Sequence, residues 1–260
     1  MTARLTPVDR LLAGVVTAVE RLDPSPFLLG GRHGTAGYER ARSAPPVVLV
    51  SGFANSPHSW RRYAASLAAD GFRVYVVDLP GRGLIDMHAS VGQLQLALQR
   101  IRAHAGQDEL SLVGFSQGGL LSRMHAELGA GDQAIEAIVT LATPHNGADG
   151  LVGGLGRMLA RIPGLRRIVP PSLAQLIAGS EVIAQLQLAQ STRGLARVGR
   201  GPRYTSVFAG VSDGLVSARA AQIPNGMNVS LRPSLLNNHY GVLNWSGAAY
   251  EAVRGALLAA

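Results

Sequence analysis

Leu110–Gly119, LSLVGFSQGG, is the stretch whose reading decides the fold. Its first six residues form a short apolar run of the kind buried on both faces in a parallel sheet. Gly114-Phe115-Ser116-Gln117-Gly118 is a G-x-S-x-G pentapeptide, and a helix is expected from Gln117 to Leu128. The pentapeptide alone is short enough to occur by chance. Between a strand and a helix it reads as a nucleophile elbow: flanking glycines let the backbone turn sharply and lift the serine hydroxyl clear of the sheet. The helix that follows points its positive end and free N–H groups at that hydroxyl. Ser116 is therefore the candidate nucleophile.

Working outward, the same alternation recurs. Before the elbow, VVLVSG (Val47–Gly52) follows Pro45-Pro46, a helix is expected over Ser59–Ala69, and FRVYVVD (Phe72–Asp78) runs into the turn LPGRG. A helix over about His88 to Ala105 completes that side. After the elbow come AIVTLA (Ala137–Ala142), then YTSVFAG (Tyr204–Gly210), NVSLRP (Asn228–Pro233) and a closing helix over Gly241–Ala259. Strands alternating with helices of this length predict an α/β fold with a mostly parallel sheet and right-handed crossovers. The alternation pauses after Thr143-Pro144, and residues of about 148–200 read as a helical cap inserted at the carboxyl end of a central strand, where α/β folds bind ligands. An amphipathic helix is expected over about 5–22, from Leu5, Val8, Leu12, Val15, Val19 and Leu22. No repeat and no low-complexity linker divides the 260 residues, which read as one domain.

Composition narrows the function. Hydrophobic residues make up 47% and charged residues 15%, which excludes a disordered chain. No apolar run reaches a membrane span. Cysteine is absent, and with it any disulfide, thiolate metal site or cysteine nucleophile. The net charge of +8 comes from 24 basic residues, all arginine and all dispersed. With no aromatic-and-basic stripe or recognition motif beside them, they do not indicate nucleic-acid binding. Leu11–Val19 lacks the flanks and cleavage site of a secretory leader, so the chain is read as cytoplasmic rather than secreted, a mature secreted form staying open.

The chain resembles the α/β-hydrolase superfamily, and within it bacterial lipases and esterases. Four segments carry the resemblance: VLVSGFANSPHSW (48–60), VYVVDLPGRG (74–83), LVGFSQGGLLSRM (112–124) and VTLATPHNG (139–147). The chain departs from the pattern at Ser51-Gly52, where lipases usually have His-Gly, and at Phe115, where histidine is frequent. The resemblance implies an α/β-hydrolase fold, an inserted cap or lid, and a Ser-Asp-His triad acting through an acyl-enzyme.

A serine nucleophile needs a base, and the base an orienting carboxylate. The superfamily's order is Ser, then Asp or Glu, then His. His33, His58, His88 and His104 precede the serine; His125 lies within the helix after the elbow, and His145 belongs to the TPHNG turn as a structural neighbour of the site. His239, in NNHYG between the last strand and the closing helix, stands where the superfamily places its base. Asp213, in GVSDGLVS after a strand, is the candidate acid, with Asp78 and Asp149 set aside. Resemblance assigns the oxyanion donors to the backbone N–H groups of Phe53 and Gln117. Trp60, Leu84, Leu243 and Trp245 are the substrate-binding candidates. Arg157, Arg161, Arg166 and Arg167 oppose the cap's apolar face, which would suit transient contact with a lipid surface or a simple cover with solvated arginines. The expected activity is carboxylic-ester hydrolysis on a small-molecule or lipid ester. A thioesterase or amidase with the same triad, and a non-catalytic binding protein on the same fold, stay open as alternatives. No metal and no organic cofactor is expected.

Overall fold

In the computed structural model, described here for Arg10 and residues 35–129, 134–149, 169–196 and 201–259, the strands are β1 (Val47–Val50), β2 (Val74–Val77), β3 (Leu110–Phe115), β4 (Ile135–Leu141), β5 (Arg203–Phe208) and β6 (Met227–Ser230). They pair in parallel throughout, in the order β2-β1-β3-β4-β5-β6. Branched residues in the central strands explain the pairing: Leu49 lies opposite Val76 on one side and Val113 on the other. These residues pack well on a pleated, fully buried surface.

The helices are α1 (Thr35–Ser43), α2 (Arg61–Ala69), α3 (Met87–Ala105), α4 (Gln117–Leu128), α5 (Pro171–Gln175), α6 (Glu181–Ala196), α7 (Ala218–Ala221), α8 (Gly241–Asn244) and α9 (Gly247–Leu258). The two-residue period of the strands divides the core into two layers. Val47, Leu49, Val113 and Phe115 face Tyr63 of α2 and Tyr250 of α9. Val48, Val50, Leu110 and Leu112 face Leu94 of α3, Leu120 of α4 and Leu186 of α6. Asp86 caps α3, accepting from the N–H groups of His88 (2.9 Å) and Ala89 (3.1 Å). Gln175 of α5 grips the same cap, with Nε2 donating to Asp86 Oδ2 (2.5 Å) and Oε1 accepting from the Met87 N–H (2.8 Å).

Several element boundaries differ from expectation. The helix expected from Ser59 starts as a 3₁₀ turn, Pro57–Trp60, before α2. The closing helix divides into α8 and α9, because the Ser246 hydroxyl accepts from the Ala249 N–H and starts a new helix there. The short helices α1 and α7 were not expected. Within the expected cap, α6 packs against α4 through Val182, Ile183 and Leu186, all buried in the main apolar layer. The rest of that cap, 150–168 with its four arginines and 197–200, lies outside the described residues; so does the helix expected over 5–22, Arg10 apart. No helix among the described residues is long and apolar enough to cross a membrane.

The strand order positions the site. After β1 the chain places β2 on one side, then returns to place β3 on the other. This reversal opens a crevice at the carboxyl ends of β1 and β3, the usual ligand position in an open parallel sheet.

Candidate active site

Ser116 sits at the carboxyl end of β3 with φ 52° and ψ −120°, a conformation that side-chain-bearing residues seldom adopt. Such a backbone is held by its surroundings at a cost of about 1–3 kcal/mol. Here the Ser116 N–H donates to the Leu141 carbonyl (2.8 Å), and the Ser116 carbonyl accepts from the Thr143 hydroxyl (2.9 Å) and the Gly119 N–H (3.1 Å). The turn is also crowded. A side chain at position 118 would overlap the Val50 and Ser51 carbonyls, so Gly118 lets α4 lie directly on β1.

The other two candidate residues, Asp213 and His239, arrive from neighbouring strand ends. Asp213 caps the 3₁₀ turn (Gly210–Ser212) that follows β5, and His239 lies between β6 and α8. His239 Nδ1 is 2.9 Å from Asp213 Oδ1 and 3.1 Å from Oδ2, and its Nε2 is 3.1 Å from Ser116 Oγ. With Nδ1–H donating to the carboxylate, Nε2 is left to accept the serine proton. Asp213 Oδ1 also accepts from the N–H groups of Leu215 (3.0 Å) and Val216 (2.7 Å), which hold the carboxylate in place. Both residues are buried, at 5% exposure for Asp213 and 6% for His239. The Phe115 and Tyr240 rings pack on the imidazole with centroids at 5.0 and 5.6 Å. They confine its tilt.

Gln117 directly follows Ser116, and Phe53 lies in the loop after β1. Gln117 opens α4, so its N–H has no acceptor within the helix. Phe53 follows Gly52, and a Cβ at Gly52 would lie 2.9 Å from the Phe115 carbonyl oxygen and 3.1 Å from Ser116 Cβ. The first loop therefore rests against the nucleophile itself, and only a glycine leaves it room.

Beneath the elbow lies a buried polar group. The Arg123 side chain of α4 has no exposure; its Nε donates to Glu127 Oε1 (2.7 Å), Nη1 to the His145 carbonyl (3.3 Å), and Nη2 to the Leu186 carbonyl (3.2 Å) and Gln190 Oε1 (2.8 Å). It ties the nucleophile helix to the turn after β4 and to α6. The Thr140 hydroxyl donates to the Thr205 carbonyl (3.4 Å), so it accepts from His145 Nε2 (2.9 Å). Burial first, and the Arg123 charge second, push His145 well below the ordinary histidine pKa. It stays neutral beside the site.

The substrate-binding candidates separate. Trp60 and Leu243 are buried in the apolar layer shared with Phe115, and Leu84 is buried in the turn after β2. Trp245, after α8, is 44% exposed. Reading the sequence missed Gly52 as a close-packed residue and Thr143 as a support of Ser116. Their contacts cross between strands and leave no local pattern. Among the described residues no group of three or more His, Asp or Glu side chains could hold a metal ion.

Comparison with known proteins gives a consistent setting. The chain is 34% identical over 111 residues to a triacylglycerol lipase of Pseudarthrobacter phenanthrenivorans, a match covering 40% of this chain and 34% of that protein. It is 34% identical over 110 residues to a pimeloyl-[acyl-carrier protein] methyl ester esterase of Vibrio cholerae, covering 42% and 41%. The chain thus spans well under half the length of these curated relatives. The mature form of a Bacillus licheniformis lipase superposes with a TM-score of 0.59 at 19% identity, over 89% of this chain and 96% of that one, a likeness of fold. The family model described as the alpha/beta hydrolase fold matches residues 45–175, half of the chain. The parallel sheet with its elbow after β3 is the architecture of that family, and the chain belongs to it.

Proposed function

We propose that the chain is a serine hydrolase of carboxylic esters, of the lipase and esterase type. Ser116 Oγ attacks the ester carbonyl while His239 Nε2 takes its proton. Asp213 holds the resulting imidazolium in place and keeps its own charge. The negative oxygen of the tetrahedral intermediate is received by the N–H groups of Gln117 and Phe53. Its collapse breaks the acyl–oxygen bond, and the departing alcohol takes the proton from His239. Water, deprotonated by His239, then attacks the acyl-serine; release of the acid returns the hydroxyl to Ser116. The observation that carries this reading is the unbroken relay of 3.1 Å from Ser116 to His239 and 2.9 Å on to Asp213.

The surroundings favour an apolar acyl group. Val211 (89% exposed), Leu235 (92%), Leu236 (56%) and Trp245 (44%) stand on the segments that carry or follow Asp213 and His239. These side chains offer an apolar rim to a lipid ester. The lipase and methyl ester esterase named above agree with that substrate class.

The test is the initial rate on p-nitrophenyl esters from acetyl to palmitoyl, for wild type and Ser116→Ala. Hydrolysis is expected, with loss in the variant to roughly 10⁻⁴–10⁻⁶ of the wild-type rate. Equal rates in the two proteins would overturn the reading. Turnover of acyl thioesters far above oxygen esters would move it to thioester hydrolysis by the same triad.

A further inference from the structure

We propose that the Gln117 side chain is a positioning residue that sets the spacing of the two oxyanion donors. The proposal rests on the ester-hydrolase reading and deepens it. Gln117 is fully buried, and its Nε2 donates to the Gly83 carbonyl at 2.8 Å, in the turn after β2. The adjoining carbonyl in that turn, of Arg82, accepts from the Ala54 N–H at 2.9 Å. Ala54 directly follows Phe53. Two hydrogen bonds, to the successive carbonyls of Arg82 and Gly83, thus join the residue that supplies one donor to the residue beside the other.

The link is taut. Ala54 (φ 60°), Arg82 (φ 49°) and Gly83 (φ 68°) all hold left-handed backbone, which for the first two persists only where the surroundings enforce it. A Cβ at Gly83 would lie 2.7 Å from Gln117 Oε1, so the amide rests directly on the turn. Turning the amide over would face two oxygens towards each other. Its orientation is therefore fixed.

The other end of the amide shows that packing is not its purpose. Gln117 Oε1 is buried without a hydrogen-bond partner among the described residues. An orphaned acceptor destabilises the fold, and a methionine would fill similar space without one. A glutamine here is explained by the donor it aims at Gly83. Sequence reading assigned this residue a main-chain role only; the side chain adds a second.

Gln117→Met separates the two, since the backbone N–H stays and the clamp goes. The expected result is a kcat lower by about 10- to 100-fold, as for donors displaced rather than deleted, with KM within about threefold of wild type by the same logic of transition-state binding. Affinity for an alkyl trifluoromethyl ketone, which forms an oxyanion on Ser116, should fall by the same factor as kcat, while thermal stability changes little, because the variant exchanges one unpaired carbonyl, that of the Gln117 amide, for another, that of Gly83. Gly83→Ala, which presses on Oε1, should repeat the kcat and ketone effects and serves if the first variant does not fold. Wild-type kcat and ketone affinity in a folded Gln117→Met would overturn the proposal, as would a loss confined to KM. A wild type that hydrolyses no ester and is not labelled by a fluorophosphonate would overturn the ester reading, and the proposal with it.

Discussion

Ser116 stands in a backbone conformation that suits glycine better than serine. Relieving it should therefore separate stability from activity. Ser116→Gly and Ser116→Ala both lack the hydroxyl, but only alanine keeps the steric conflict. The glycine variant should be more stable than the alanine variant by about 1 kcal/mol, after allowing for the greater freedom of glycine in the unfolded chain. Urea denaturation of the two proteins decides it; equal midpoints would mean that the elbow is unstrained. His145 offers a second prediction at this scale. Its pKa in the folded protein is lowered by burial and by Arg123, whereas in the unfolded chain it titrates normally. Above the unfolded value, about 6.5, both states are neutral and the residue has no effect on pH dependence. Below it the unfolded chain takes up a proton that the folded one refuses, so stability falls by up to about 1.4 kcal/mol per pH unit from this group. Replacing His145 by Gln should remove that component of the slope between pH 6.5 and 5. Unfolding free energies of both proteins across that range check it, and identical slopes would contradict the assignment.

Among the elements, α4 carries the greatest electrostatic demand, because a guanidinium without solvent exposure lies along it. Arg123→Met would leave Glu127, itself nearly buried, without its partner, with a loss of about 3–5 kcal/mol. Adding Glu127→Leu should recover most of that loss, since a well-packed apolar pair often matches a buried ion pair. A double-mutant cycle measures the coupling, and additive losses would show that the pair does not act as a unit. This group was not legible in the sequence. Arg123 and Glu127 have helical spacing, but the other partners of Arg123 are distant in the chain: His145 after β4, and Leu186 and Gln190 over sixty positions away. By contrast β3 and α4 were read with their observed limits, Leu110–Phe115 and Gln117–Leu128, because burial on both faces and a glycine-flanked turn mark themselves locally. α1 escaped notice for the opposite reason: TAGYERARS has no apolar stripe, and Ala41 alone of its described side chains is buried.

At the scale of the molecule, the parallel sheet follows from the strand–helix alternation, while its order β2-β1-β3-β4-β5-β6 could be expected only through the family resemblance. The positions of Ser116, Asp213 and His239 in the chain were legible from motif and order; their meeting depends on three different strand ends. Apolar character alone does not distinguish the buried Trp60 from the half-exposed Trp245, so the substrate surface leaves no mark in the sequence. The loops bearing Asp213 and His239 are joined twice, once through their side chains and once by the His239 N–H donating to the Asp213 carbonyl at 3.3 Å. Mechanically the three-residue relay is thus two bodies and one joint. Any shift of these loops against the elbow would fall first on the serine–histidine contact, with Asp213 and His239 travelling together like a single handle.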